Sequence, residues 1–463
     1  MKTRHWSAIV FLGIVALPFA LMSRAGRPPG ASATGPRETL VILSPHRREV
    51  RQEYSRGFGE WMRTRCHRNV DITWLDVGGT TKILKDLESR FASSPDDVRV
   101  DLFFGGGVSP YHTALERGWL ATPAVSSNLL AEIPALCAGT PVYDPGRRWF
   151  GVALSGFGIV YNRVLLQRLG LPEPKTWDDL GRPEFLSWVA SGDPRSSGSV
   201  HMCYEIILQA YGFDRGWNTI ARLCANVRRF GEGGGVAPRE VASGDVAAGL
   251  AIDQYALTVV RAVGGDALGF VLPQGATVID ADAIGQLRGA SSPELASLFI
   301  EYALSADGQR LLFQPAGAGG QRNSLQRLPV RAASYEEPFA PKANPYRYES
   351  RFRFDSAREG RRRDLVNDLI GATLIDAHDE LVRAWKAAVR SGLPAAMVGP
   401  LCAPPLSEAE LDALAPSWKD PRKRVETMRA WSQQAKERYR RIAGQHRVAD
   451  GSDAAPARKE TSG

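Results

Sequence analysis

The chain has little cysteine and little histidine, and neither residue stands in a pattern that makes a site. Its 463 residues include 5 Cys and 7 His. Cys66, Cys137, Cys203, Cys224 and Cys402 show no C-x-x-C or zinc-type spacing, which removes the dithiol redox and structural-zinc classes. No G-x-S-x-G elbow and no H-E-x-x-H pair occurs, so two common hydrolase classes go as well, and an enzyme becomes the less favoured class. Neither G-x-G-x-x-G nor G-x-x-x-x-G-K-[ST] is present, and the glycine triplets at 105–107 and 233–235 do not replace them, so nucleotide phosphates have no specific cradle. The net charge of +8 comes without aromatic platforms. Its basic residues are thickest in REGRRRD (358–364) and in 420–441, where acidic residues and helical spacing interrupt them. That pattern is a solvated helical face, and no nucleic-acid partner is expected.

What is present is ordinary globular material, 44% hydrophobic and 23% charged, enough for two or three domains of roughly 100–200 residues. One apolar run, Ala8–Met22, follows MKTRHWS. Its length of about 15 residues suits a signal-peptide core and is short for a bilayer span. Residues 1–25 therefore read as a signal peptide with SRA before Gly26 as the cleavage site, or as an uncleaved anchor that keeps the chain on the membrane. Either way a periplasmic or other extracytoplasmic location is expected. Residues 26–37, rich in Gly, Pro and Ala, read as a linker. In an exported chain the five cysteines allow two bridges and one free thiol, and buried reduced thiols equally well.

From residue 38 onward short apolar runs alternate with helical stretches. TLVIL (39–43), VDITWL (70–75), VDLFF (100–104), WFGVAL (149–154), GIVYN (158–162), FLSWVA, GLAID (249–253) and LGFVLP (268–273) read as strands. Thr176 and Asp179 in TWDDL form a capping box that starts a helix. This rhythm predicts an α/β fold with a largely parallel sheet, or two of them. After about residue 290 the pattern turns helical, and 446–463, nearly devoid of apolar residues, reads as a disordered tail.

In open α/β sheets ligands bind beyond the carboxyl ends of the strands. The loops there are rich in glycine and hydroxyls, which expose amide and hydroxyl donors at helix starts and favour an anion. The candidate ligand-binding residues are Ser44 and His46 in the first loop, Gly106 and Gly107 in the third, and Ser155 in SGFG. SGDPRSSGS adds Asp193, Ser196, Ser197 and Ser199; GEGGGVAP adds Gly234 and Gly235; AIDQYA adds Asp253 and Tyr255. Each Ser or Asp read alone is a helix cap worth about 1 kcal/mol. Their number is what points to a site. His46, Asp193, Asp253 and Tyr255 are also the oxygen and imidazole donors that would suit a ferric ion.

The stretches 149–180, 191–212, 231–256 and 270–312, in this order, resemble the ABC-transporter substrate-binding proteins of the ferric-iron type. The resemblance implies a two-lobed type II periplasmic-binding-protein fold with a C-terminal helical extension. Its parts would be lobe 1 from 38–154 and 269–335, lobe 2 from 155–268, and a helical region from 336–445. WFGVALS and ALGFVLP would be the hinge strands. It also implies a solute held between the lobes and delivered to a membrane permease, with no resident cofactor. Ferric members use a His in the first loop, a Glu in a later lobe-1 loop and two adjacent Tyr. His46 matches the first, the loop after VDLFF has no Glu, and Tyr255 follows Gln254 rather than another Tyr. A ferric ion as cargo and a small anionic or oxygen-rich solute both stay open. The rivals are a sensor subunit signalling through the C-terminal helices and an enzyme on the same scaffold.

Overall fold

A computed structural model describes residues 37–341, 344–348 and 352–449. The segment read as signal peptide or anchor, the linker up to residue 36 and the tail from residue 450 lie outside the described residues. The first lobe is built from β1 (Glu38–Leu43), α1 (Arg48–Trp61), β2 (Val70–Leu75), α2 (Thr80–Ser93), β3 (Leu102–Phe104) and α3 (Ser109–Glu116). α1 buries Val50, Tyr54 and Phe58, the stripe that a 3.6-residue period puts on one face. β1 pairs in parallel with both β2 and β3. The hairpin of β4 (Leu136–Cys137) and β5 (Thr140–Pro141) follows.

β6 (Phe150–Asn162) is a single strand of 13 residues where the sequence reads two, because SGFG between them stays extended and paired. Beyond it come β7 (Val189–Gly192), α4 (Gly198–Tyr211), α5 (Phe213–Asn226), β8 (Val227–Gly231), α6 (Val236–Ser243), β9 (Ala248–Ile252), α7 (Asp253–Val263) and β10 (Leu268–Val271). The chain then returns to lobe 1 with β11 (Ile279–Gln286), α8 (Pro293–Leu304) and β12 (Leu328–Pro329). The sheet order is β2-β1-β3-β11-β6-β9-β7-β8, with β10 and β12 also on β6.

β6 is what joins the lobes. Residues 150–156 pair antiparallel with β11, and Phe157–Tyr161 pair antiparallel with β9. The strand passes from one lobe to the other at Ser155–Phe157, and the chain recrosses between β10 and β11. WFGVALS and ALGFVLP thus lie at the two crossings. At Gly158 a Cβ would lie 2.1 Å from the Val271 carbonyl oxygen, so only glycine lets β6 and β10 approach this closely. TWDDL forms the capping box, but only a short 3-10 turn, Trp177–Gly181, because Pro183 disfavours helical backbone at the residue before it.

The C-terminal helices are α9 (Ser356–Ile370), α10 (His378–Arg390), α11 (Ala395–Cys402), α12 (Glu408–Leu414) and α13 (Pro421–Ala449). They extend the core of lobe 2: Ile206, Trp217 and Leu223 share one apolar cluster with Leu365, Trp385, Leu401 and Tyr439. Lobe 1 keeps its own cluster around Phe58, Phe103 and Phe299. α13 runs past residue 445 to Ala449, so the first residues of the expected disordered tail are helical. All five cysteines are free thiols and four of them are buried. Burial pushes the Cys137 and Cys224 thiols up to about 12, which keeps them protonated and unreactive.

Candidate functional site

A cavity of about 260 Å³ lies between the lobes where β6 changes partners. Lobe 1 lines it with His46, Arg47, Thr80, Gly106, Gly107 and Ser109. Lobe 2 contributes Ser196, Ser197, Ser199, Gly234 and Tyr255, and Ser155 stands at the crossing itself. The two sides meet directly. The Arg47 guanidinium lies over the Tyr255 ring at 4.7 Å, a cation–π contact between lobes. A Cβ at Gly198 would sit 3.8 Å from Thr80 Oγ1. Ser197 caps α4 by accepting from the Val200 amide, so the capping role read from sequence and the lining role coexist in one residue. The Ser155 hydroxyl is buried at the crossing, beside the Asp253 carboxyl that it helps to hold.

Beneath the lobe 1 wall sits a buried charged group. Arg327 Nη2 donates to Asp282 Oδ2 at 2.5 Å, and the Gly106 amide donates to Oδ1 at 2.9 Å. Burial alone would raise the Asp282 carboxyl, but Arg327 and His46 hold it well below the usual carboxylate range. Burial pushes the His46 imidazole down in spite of Asp282, so the ring is neutral near pH 7. Its Nε2–H donates to Asp282 at 2.7 Å, and Nδ1 accepts from Ser44 Oγ at 3.0 Å. Asp280 also lines the cavity. Burial pushes its carboxyl up to about 7, against the donation of the Val108 amide.

Several residues expected at the site stand elsewhere. Ser44 lies behind the His46 ring as its hydrogen-bond partner. Gly235 is the N-cap position of α6 and is not on the wall. Asp253 is turned into the hinge, where its carboxylate accepts from the Gly156 amide at 2.8 Å and the Gln254 amide at 2.6 Å. Burial, opposed by these bonds, raises it to about 6. Asp193 faces the C-terminal layer: Arg195 bridges it, at 2.7 Å, to Asp376, at 2.9 Å. The four expected metal donors are therefore not gathered, and no group of three or more His, Cys, Asp or Glu among the described residues could hold a metal ion.

Thr80 and Ser109 come from the loops 76–81 and 105–110 that follow strands, as the carboxyl-end rule expects, whereas sequence reasoning missed Arg47, Asp280, Asp282, Arg327 and Arg363, all on the cavity. Two had a readable signal. Asp280 and Asp282 alternate along an otherwise apolar strand, and a period of two puts both on one face. Arg327 and Arg363 had none, because they arrive from segments distant in sequence.

The architecture, with one strand shared by two lobes and a polar cavity where they meet, is the two-lobed fold of the type II periplasmic binding proteins. Residues 109–333 match the model of the family described as bacterial extracellular solute-binding protein. Solved structures agree on the fold. The periplasmic binding protein AfuA from Actinobacillus pleuropneumoniae, with exogenous fructose-6-phosphate bound, aligns with a TM-score of 0.56 at 20% identity, over 77% of this chain and 99% of that one. Iron-bound HitA from Pseudomonas aeruginosa aligns at 0.52 and 17% identity, over 71% and 99%. In sequence, the phosphoglycerate transport regulatory protein PgtC of Salmonella typhimurium is 31% identical over 162 residues, 35% of this chain and 40% of PgtC. The chain spans two thirds or less of the curated relatives it matches. Fold and matched segment together make this chain similar to the extracellular solute-binding proteins, among whose structural neighbours are ferric-ion binders. That family is extracytoplasmic, and no helix among the described residues is long and apolar enough to cross a membrane.

Proposed function

We propose that this chain captures a small anionic, oxygen-rich solute between its lobes and presents it to the permease of an ABC importer. The observation that carries this reading is the chemistry of the cavity. Hydroxyls of Thr80, Ser155, Ser197 and Ser199 and the guanidinium groups of Arg47 and Arg363 converge on about 260 Å³, and such donors complement phosphate or carboxylate oxygens. A ferric ion is disfavoured, because the Tyr255 ring lies under the Arg47 cation and Asp193 points away from the cavity. The phosphorylated compounds in the names of AfuA and PgtC support the same solute class. The chain binds rather than converts its solute, works outside the cytoplasmic membrane, and touches that membrane through residues 1–25 if they stay uncut.

A solute present at a hundredfold excess over its Kd is expected to stabilise the protein by about 2.7 kcal/mol. Thermal unfolding with fructose 6-phosphate, phosphoglycerate, inorganic phosphate and ferric citrate tests this. A shift with the ferric salt and none with the anions would overturn the reading. A second reading, a ligand-dependent sensor, is favoured by the regulatory name of PgtC and by C-terminal helices that pack along lobe 2. It predicts solute-dependent binding to a partner other than a permease, which pull-down in the presence and absence of solute measures.

A further inference from the structure

One wall residue of the cavity comes from the C-terminal layer that extends lobe 2. Arg363 lies on α9, at the start of the C-terminal layer, yet it lines the inter-lobe cavity. Its Nε donates to Glu359 Oε1 at 2.7 Å, one helical turn earlier. Neither of its amino groups has a hydrogen-bond partner among the described residues. Glu359 is fully buried and is held from several sides. His201 Nε2 of lobe 2 donates to it at 2.7 Å, and the Ser109 side chain of lobe 1 stands beside it: a Cβ on the next residue, Gly360, would be 3.7 Å from Ser109 Oγ. Burial would raise the Glu359 carboxyl, but Arg363, His201 and Ser109 keep it well below the ordinary range.

α9 is also bolted to the helix that opens the lobe 2 wall. Arg362 donates to Glu205 of α4 at 2.6 Å, and His201 Nδ1 lies 2.6 Å from Asn367 Oδ1. Downstream of α9, Asp376 binds Arg195 in the serine-rich loop, and at Gly371 any Cβ would meet that guanidinium at 2.6 Å. The layer thus grips both the loop and the helix that carry Ser197 and Ser199, and it inserts one cation among them.

We propose that Arg363 is a solute-selecting residue: the C-terminal layer delivers its guanidinium to the cavity to receive the anionic group of the solute, and Glu359 is the positioning residue that aims it. This rests on the anion reading above. A guanidinium fixed through Nε presents its amino groups as a rigid fork, which matches two oxygens of a phosphate or carboxylate better than a lysine ammonium does. Of the two aspartates on the opposite wall, Asp282 is already paired with Arg327.

The test is calorimetric titration of the full chain with fructose 6-phosphate, phosphoglycerate and inorganic phosphate. Arg363→Gln is expected to weaken binding of the anion that the unmodified protein takes by at least about tenfold, with Arg363→Lys between the two. Thermal midpoints of the solute-free variants accompany the titrations, because a purely structural role would lower the midpoint and leave the affinity of the folded protein unchanged. If the unmodified protein binds one of the anions and Arg363→Gln binds it within twofold, the assignment of Arg363 is overturned and the anion reading stands. Should the glutamine variant not fold, unchanged affinity in Arg363→Lys overturns it equally. If the unmodified protein binds none of the three, both fall together.

Discussion

An Arg362→Ala variant is expected to lose about 3–5 kcal/mol of stability, the usual cost of stripping the partner from a buried charge. Glu205 is 0% exposed and Arg362 1%. Arg362 Nε and Nη2 reach Glu205 Oε1 at 3.0 and 2.6 Å, and Nη1 reaches Glu408 at 2.9 Å. Without the guanidinium, Glu205 keeps only the Gln209 amide at 2.8 Å, and its other oxygen already lacks a partner. Urea unfolding measures the loss. The double variant Glu205→Gln with Arg362→Met should regain much of it, since a buried pair is worth far less than the penalty of half a pair. A single variant within about 1 kcal/mol of the parent would mean that water reaches Glu205. The effect should extend to solute binding, because α4 begins beside the cavity and α9 holds it in place.

Stability should also fall as pH rises through the range from about 4 to 7, and Asp280→Asn should remove its share of that fall, leaving the smaller share that Asp253, raised to about 6, contributes. The Asp280 carboxyl is raised from 3.8 to about 7, so the folded protein holds its proton more tightly than the unfolded chain does. Below the unfolded value the group contributes no penalty. Above it the unfolded state ionises first, and the folded state loses about 1.4 kcal/mol per pH unit until pH 7. The sum is at most about 4 kcal/mol and smaller in practice, because Asp280 faces the cavity and part of its carboxyl meets solvent. The asparagine variant should therefore match the parent near pH 4 and exceed it above pH 7 in thermal midpoint. Equal midpoints at pH 8 would refute the protonated carboxyl. An anion beside Asp280 favours the protonated form further, so its affinity should weaken above pH 7 in the parent and stay flat in the variant.

Much of lobe 1 was legible residue by residue. VDITWL is β2 with identical ends, and the Val50, Tyr54, Phe58 stripe is α1, because local periodicity and propensity act over a few residues. Hydroxyl-rich SSGS was legible as a cavity wall, since a loop after a strand that opens a helix must expose amides and hydroxyls. Asp193 and Asp253 were misread for one reason: an aspartate at a helix start looks the same whether it faces solvent, a ligand or another loop. Their partners, Arg195 with Asp376 and the Gly156 amide, come from packing. β6 was divided at SGFG because glycine lowers strand propensity locally, while pairing with β11 on one half and β9 on the other keeps it whole.

By itself the sequence determined the alternation of strands and helices, the donor-rich loops and the likeness to a two-lobed binder, all of which follow from spacing along the chain. Only the tertiary structure decided the charge of the cavity. Asp280 and Asp282, Arg327, and Arg363 come from three separate segments, and a buried charge takes its protonation, and hence its role, from neighbours that no local pattern specifies.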